Sequence, residues 1–377
     1  MLKMRTPFYY YDVDLLNRNL TNLVEASSKY GIDVHYALKA NYNERILNLI
    51  QSYGLGADCV SGNEVKRAAS CGFSGNDIVF AGVGKSDTEI LDALALDIFC
   101  FHVESIQELE VINELAGTVS KKARVAIRLN PNVEAETIAQ ITTGTADNKF
   151  GIHHNDIDEA IAGLQSMQNV EFIGLHFHIG SQITNMNVFA NLSEKVNDYV
   201  NYFTDRSCKV NYVNLGGGLG INYYDPSEMP NFEAYFKVFS ENLSLHKDIK
   251  LHVELGRSVV AQCGDLYTKV LYMKKATHKE FAIVDAGMND FMRPALYNSY
   301  HKIEKLHGSS DLRPYDVVGP ICESTDTFAK DIGLPELKRG DVLIIKTVGA
   351  YGEVLSNRYN LRDDIKAYYS DEDQIEA

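Results

Sequence analysis

The sequence predicts an α/β fold: a (β/α)8 barrel of the TIM type, joined to a C-terminal all-β domain that also takes in the N-terminal strand. Three observations predict it. Eight short apolar runs alternate with helix-like segments between about residue 13 and residue 260. Eight such repeats in roughly 230 residues match the size of a (β/α)8 barrel. After about residue 258, strand-like runs follow one another without intervening helices, which marks a separate β layer. A doubly wound open sheet is the alternative for the first part. The domain limits that follow are 12–258 for the barrel, and 1–11 with 259–377 for the β domain.

Residues 7–11 form a strand that precedes the barrel pattern and can pair into the β domain. Barrel strands are expected at 32–38, 55–60, 77–81, 97–103, 123–130, 171–178, 210–216 and 250–255. Helical patterns lie between them at 43–53, 62–71, 86–95, 105–116, 156–164, 186–203 and 232–245. Within 105–116, Ile106, Leu109, Ile112 and Leu115 recur at three-residue intervals, as a helix packed on one face requires. Residues 130–151 form an irregular segment of about twenty residues, longer than ordinary connections, which reads as functional. The β domain is expected to hold strands at 259–272, 281–286, 315–319 and 342–348, and the polar tail 369–377 to fray.

The chain has 377 residues and a formal net charge of −15, which argues against nucleic-acid or anionic-membrane partners. The first residues, Met1 to Pro7, lack an apolar targeting core, and no apolar stretch approaches bilayer-spanning length. Six cysteines (Cys59, Cys71, Cys100, Cys208, Cys263, Cys322) are scattered without C-x-x-C spacing. They read as reduced, mostly buried thiols of a cytoplasmic protein, and no structural zinc is expected.

In barrels the chemistry lies at the C-terminal ends of the strands. The first strand ends in Tyr36-Ala37-Leu38-Lys39-Ala40-Asn41. Alone, Lys39 is either a surface lysine or an amine led out of an apolar wall, where desolvation lowers its pKa and frees it for Schiff-base chemistry. The sixth strand ends in His176-Phe177-His178-Ile179-Gly180-Ser181-Gln182, the seventh in Gly216-Gly217-Gly218-Leu219-Gly220, the eighth in Glu254-Leu255-Gly256-Arg257-Ser258. Successive glycines let backbone N–H groups turn inward around a phosphate. A carboxylate such as Glu254 beside a pyridine nitrogen would hold it protonated and strengthen an electron sink. The His-x-His pair raises a metal site as an alternative, but the barrel metal hydrolases want that pair on an early strand with His and Asp at later strand ends. Here the first strand ends in lysine, so no metal is expected. His178, nearer the strand end, suits stacking on a flat aromatic cofactor, and His176 reads as a packed histidine. Lysine, carboxylate, phosphate cradle and stacking histidine together describe a pyridoxal-phosphate site.

These segments, with Asp285-Ala286-Gly287-Met288-Asn289-Asp290, Arg293-Pro294-Ala295-Leu296-Tyr297, Gly319-Pro320-x-Cys322-Glu323-Ser324 and Gly349-Ala350-Tyr351-Gly352, carry a family resemblance. From Pro7 to about Asn360 the chain resembles the fold-type III pyridoxal-phosphate decarboxylases, and among them the diaminopimelate decarboxylases. Leu255 departs from the pattern, which usually has proline there; the loss should cost rigidity of the turn and not chemistry. The resemblance implies pyridoxal 5'-phosphate-dependent conversion of meso-2,6-diaminopimelate to L-lysine and CO2, the last step of lysine biosynthesis. It implies cofactor contacts from Lys39, His178, Ser181, Gly217, Gly218, Glu254, Leu255, Gly256, Arg257 and Tyr351.

Substrate choice rests on the far end of the substrate. Diaminopimelate offers a second amino-acid head there, and reading it requires a fixed cation beside an ammonium acceptor. Arg293 supplies the cation and Glu323 the acceptor; by resemblance Arg257, Tyr297 and Tyr351 also contact substrate. The family assigns reprotonation of Cα to Cys322, with Lys39 the competing donor. It also implies a homodimer with shared active sites, Cys322 and Glu323 reaching the neighbouring subunit. Residues 142–151 resemble the family's mobile active-site loop. The rivals are decarboxylases of ornithine, arginine or carboxynorspermidine, a racemase of the same architecture, which would need a tyrosine base and lack Cys-Glu-Ser, and a non-enzymatic carrier of the cofactor, which would be a single barrel.

Overall fold

A computed structural model of the chain describes residues 4–133, 148–308 and 311–372. The chain divides into two compact units. One comprises Leu20–Gly220 and Pro230–Gly256, the other Met1–Asn19, Ile221–Met229 and Arg257–Ala377. A first strand, β1 (Phe8–Tyr11), and a long helix, α1 (Val13–Tyr30), come before the barrel strands.

Eight parallel strands close the first unit into a barrel: β2 (Ile32–Ala37), β3 (Gly56–Cys59), β4 (Ile78–Phe80), β5 (Cys100–Val103), β6 (Ala123–Leu129), β7 (Val170–Phe177), β8 (Tyr212–Asn214) and β9 (Lys250–Leu255). β9 pairs back onto β2, with Tyr36 opposite Leu255, so the open-sheet alternative is excluded. Every residue of β3, β4 and β5 is buried, as expected of parallel strands covered on both faces. The helices between them are α2 (Glu44–Ser52), α3 (Gly62–Ser70), α4 (Asp87–Ala95), α5 (Ile106–Thr118), α6 (Ile157–Ser166), α7 (Met186–Asp205) and α8 (Phe232–Asn242). Their starts are written locally: Ser61, Ser86, Ser105 and Asn231 each accept a backbone N–H of the first turn. Ser86 and Glu89 complete a capping box, and each cap is worth about 1 kcal/mol. The expected barrel strands and helices agree with these elements to within a few residues.

The second unit is a mixed sheet. Its path runs β12 (Ile303–Lys305), β15 (Val342–Ile345), β10 (Gly264–Lys275), β11 (Glu280–Val284), β13 (Leu312–Val318) and β14 (Thr327–Pro335). Off that path, β1 pairs antiparallel with β10 and parallel with β16 (Lys366–Tyr369), so the N-terminal strand does join the β sheet. The Phe8 ring stacks on Tyr267 at 5.1 Å between centroids.

Three strands were not expected: β12 is only three residues long, β14 carries Lys330 and Asp331 on exposed positions, and β16 lies in the polar tail. Tyr369, placed in the fraying tail by composition, instead pairs with Tyr11; residues 373–377 lie outside the described residues. The strand expected from residue 259 begins at Gly264, preceded by a short helix, α9 (Arg257–Val260). Residues 259–263 are apolar or buried throughout, and a run of that kind does not separate helix from strand. The last helix, α10 (Arg293–Tyr297), carries proline in its first turn. Of the expected mobile loop, residues 142–147 lie outside the described residues. No described helix is long and apolar enough to cross a membrane.

Candidate active site

In the barrel unit the functional side chains gather at strand ends. Lys39 sits in the single turn Leu38–Ala40 that follows β2, between two buried neighbours that pin the backbone. Its Nζ lies 3.1 Å from Oδ2 of Asp58 in β3. Asp58 is fully buried, and burial, reinforced by Glu254, holds its carboxyl above the usual range although Lys39 opposes this.

Glu254, in β9, is buried and multiply bonded. Its Oε2 lies 3.1 Å from His176 Nε2, its Oε1 accepts from Asn214 Nδ2 at 2.9 Å, and His102 Nδ1 stands 3.2 Å from Oε1. Burial alone would raise its pKa, but His176 and His102 outweigh burial and hold the carboxyl well below its ordinary value. His176 is therefore no inert packing residue. Burial pushes it down to about 3, so it meets Glu254 as a neutral N–H donor. Nitrogen and oxygen atoms of His102, His176 and Glu254 lie within 4.8 Å of one another; His176 is hydrogen-bonded to the carboxylate, and His102 Nδ1 has no hydrogen-bond partner.

The glycine turn after β8 has the backbone that the sequence promised. Gly216 and Gly218 take φ of +71° and +112°, in the region that disfavours side chains. A Cβ on Gly217 would stand 1.8 Å from the Glu254 carbonyl oxygen. The Gly217 N–H donates to His178 Nδ1 at 3.3 Å, and the loop after β7 is tied to this turn by the Ile183 N–H donating to the Gly218 carbonyl. Burial, then Lys39 and Arg128, hold half-buried His178 well below its ordinary pKa, so the ring is neutral. Ser181 lies in the bend of the same loop. Leu255 ends β9 fully inside, and a Cβ on the next residue, Gly256, would come 2.9 Å from the Ala40 Cβ.

Sequence reasoning passed over several of these residues. Asp58, His102, Glu104, Arg128 and Asn214 lie at or just after strand ends, and the strand-end rule applied to every strand would have found them. Glu104 and Arg128 pair at 2.6 Å, both buried, and Glu104 also accepts the N–H groups of Gly82 and Gly151. This anchors the near end of the long irregular segment.

The second unit carries a cationic cluster. Arg257 and Arg293, both buried, donate from Nη1 to one oxygen, the Tyr223 hydroxyl, at 2.6 and 2.8 Å. Burial would raise the Tyr223 pKa, but Arg257 and then Arg293 outweigh it and hold the phenol below its ordinary value. His301 Nδ1 lies 3.0 Å from the Lys346 carbonyl, which can only accept, so Nε2 carries the lone pair that meets Arg293 at 3.1 Å. Tyr351, at φ +57°, lays its ring 4.9 Å from the Arg257 guanidinium, and Tyr297 ends α10 half-buried. Cys322 and Glu323 stand apart on an exposed loop with partners of their own. Asn360 Oδ1 accepts from both the backbone N and the Sγ of Cys322 at 3.4 Å, and the Tyr359 hydroxyl donates to Glu323 at 2.7 Å. Nothing in the sequence pattern singled out Tyr223, His301, Tyr359 or Asn360.

The barrel cluster fits a phosphorylated pyridine. An amine at a strand end, an oriented buried carboxylate for a ring N–H, a neutral imidazole and a glycine turn shaped for a phosphate stand at the ends of neighbouring strands. The pair of buried guanidiniums fits a carboxylate.

Comparison with known proteins agrees with this chemistry. Residues 14–261 match the family model described as pyridoxal-dependent decarboxylase, pyridoxal binding domain. The chain is 52% identical to a diaminopimelate decarboxylase of Bacteroides thetaiotaomicron over 98% of its own length and 96% of the relative's. It is 42% identical to one from Helicobacter pylori strain J99, covering 95% and 88% of the two chains. The crystal structure of a Helicobacter pylori diaminopimelate decarboxylase complexed with L-lysine superimposes with a TM-score of 0.92 at 41% identity, over 97% of this chain and 92% of that one.

Proposed function

The chain belongs to the diaminopimelate decarboxylases within the pyridoxal-dependent decarboxylase family, and from that premise we propose which residues carry the reaction. The reaction is the pyridoxal 5'-phosphate-dependent decarboxylation of meso-2,6-diaminopimelate to L-lysine and CO2, the last step of lysine biosynthesis. When bound, the cofactor supplies an electron sink for the breaking Cα–carboxylate bond.

Lys39 would hold the cofactor through its amine. Glu254 would accept a hydrogen bond from the ring N–H and keep that nitrogen protonated, itself held as a carboxylate by His176 and Asn214 with His102 beside them. His178 stacks on the ring as a neutral imidazole. The glycine turn of Gly217 and Gly218 would take the phosphate, with Ser181, Leu255, Gly256, Arg257 and Tyr351 completing the cofactor contacts. Arg293 binds the distal carboxylate of the substrate, Arg257, Tyr297 and Tyr351 bind the rest, and Glu323 accepts the distal ammonium. Cys322 delivers the proton to Cα; Lys39 is the alternative donor.

The exposed loop of Cys322 and Glu323 supports a homodimer in which these two residues serve the neighbouring copy's site. Five buried free thiols support a cytoplasmic setting.

The observation that carries the substrate assignment is the pair of buried guanidinium groups sharing the Tyr223 hydroxyl. A diamine-forming decarboxylase acts on substrates with no distal carboxylate and has no use for a second buried cation. The test is to supply the cofactor with meso-diaminopimelate, L-ornithine or L-arginine and measure CO2 and product amine. Release from diaminopimelate alone is expected; release from ornithine but not from diaminopimelate would overturn the assignment.

A further inference from the structure

Asn214 is the last residue of β8, fully buried, and each end of its carboxamide has work. Its Oδ1 accepts the Gly216 N–H at 2.8 Å, which fixes the first residue of the glycine turn in its left-handed conformation. Its Nδ2 donates to Glu254 Oε1 and to the Tyr212 hydroxyl, both at 2.9 Å. The Tyr212 hydroxyl lies 3.0 Å from His102 Nε2, and His102 Nδ1 faces Glu254 Oε1 at 3.2 Å. Since Tyr212 accepts from Asn214, its own proton is free to go to His102 Nε2, which leaves the His102 proton on Nδ1, toward Glu254. A carboxylate has about four acceptor positions. Asn214 takes one of them on Oε1 and His176 one on Oε2, while His102 Nδ1 stands beside Oε1 without a hydrogen bond, which leaves room for a ring N–H.

We propose that Asn214 is a positioning residue that ties the glycine cradle to Glu254, so that phosphate and ring nitrogen are bound as one rigid unit. The proposal rests on the reading that these two groups contact the cofactor. Asn214 acts through both neighbours and touches neither the substrate nor the reacting atoms. His176 serves the Glu254 half alone.

The two halves separate by comparing pyridoxal 5'-phosphate with pyridoxal, which lacks the phosphate. Equilibrium binding of each to the full chain is measured by absorbance, with thermal unfolding of the cofactor-free protein as the control for folding. In Asn214→Leu both halves go: affinity for pyridoxal falls at least tenfold, and the phosphate's own contribution, the ratio of the two affinities, falls at least tenfold more. Asn214→Asp keeps an acceptor for the Gly216 N–H but sets a second carboxylate beside Glu254. It should recover the ratio to within about threefold of the parent while pyridoxal stays weak. His176→Leu should weaken both ligands by the same factor, and His176→Gln, which keeps a donor, should recover them.

Asn214→Leu and Asn214→Asp losing the same affinities in the same ratio, or either matching the parent for both ligands, would overturn the proposal. Glu254→Gln distinguishes the two levels. If it binds pyridoxal as the parent does, the ring-contact reading fails and the tie with it. If it is defective while the Asn214 variants are not, the tie alone fails.

Discussion

Lys39 Nζ lies 3.1 Å from Asp58 Oδ2, and the two side chains differ sharply in surroundings: the lysine is 37% exposed and the aspartate 0%. A buried carboxylate with an amine as partner favours the charged form of that amine. Asp58→Asn removes this bias, so the amine should become nucleophilic at lower pH. The check is borohydride fixation of pyridoxal 5'-phosphate to the chain, read by mass, from about pH 6 to about pH 9. The midpoint should move down, because a close opposite charge has been removed. Lys39→Ala should show no fixation at any pH. An unmoved midpoint in Asp58→Asn removes Asp58 from this role.

Gly217 gives a steric prediction. An added Cβ meets the Glu254 carbonyl oxygen at 1.8 Å, and the contact is with backbone, which cannot yield without moving β9. Gly217→Ala should cost about 1–3 kcal/mol of stability, as overpacking does, and should weaken pyridoxal 5'-phosphate binding more than a hundredfold. Gly84→Ala, where a Cβ meets nothing within 4 Å, is the matched control and should stay within about 0.5 kcal/mol of the parent. Equal behaviour of the two variants in denaturant and in cofactor titration would refute the packing argument.

Much of this was legible in the sequence because the signals are local. Apolar runs with helical periodicity between them marked every barrel strand, and the strand-end rule picked out Lys39, His178 and Glu254 from their positions. The glycine turn was legible too, since Gly216 and Gly218 need a backbone that other residues disfavour. What stayed hidden depends on long-range closure. His176 looked like packing because its partner, Glu254, is 78 residues away, and Asn214 is an ordinary asparagine until Gly216 and Glu254 are both beside it. Tyr223 is one of twenty-two tyrosines, and only the fold brings Arg293 to it across 70 residues. In the β unit, short or charged strands such as β12 and β14 draw their order from neighbours, which no local pattern records.

Tyr223 leads to a kinetic prediction. Its hydroxyl is the shared acceptor of two buried guanidiniums, and a hydrogen bond to a charged group is worth about 1.5–3 kcal/mol. Tyr223→Phe leaves both cations in place without their common anchor. The KM for diaminopimelate should rise roughly ten- to a hundredfold, the kinetic equivalent of that energy, with kcat little changed. Arg293→Ala should lose diaminopimelate turnover outright while binding the cofactor normally. A Tyr223→Phe enzyme with a parental KM would show that the arginines need no such anchor.

The buried histidines set the acid limit of the fold. Burial holds His35 down at about 4, His176 at about 3 and His252 at about 2, all below the ordinary value of 6.5. The unfolded chain therefore binds more protons at these sites between pH 6.5 and the folded values, and stability falls as pH falls through that window. Each histidine contributes about 1.4 kcal/mol per pH unit. Two carboxyls oppose them. Burial raises Glu64 to about 7 and Asp290 to about 6, so from about pH 4 to 6 the folded chain binds more protons there than the unfolded one. His178 and His301 act in the same sense as these three histidines, and Asp33, Asp58, Asp265 and Asp326 in the same sense as the two carboxyls, so the informative quantity is the change in slope when one group is removed. Urea unfolding of the cofactor-free protein at about pH 6 and at about pH 5 measures it. Glu64→Gln removes one opposing group and should steepen the fall of stability toward acid pH by about 1.4 kcal/mol per unit. Equal slopes in the two proteins would mean that Glu64 is not held protonated in the fold.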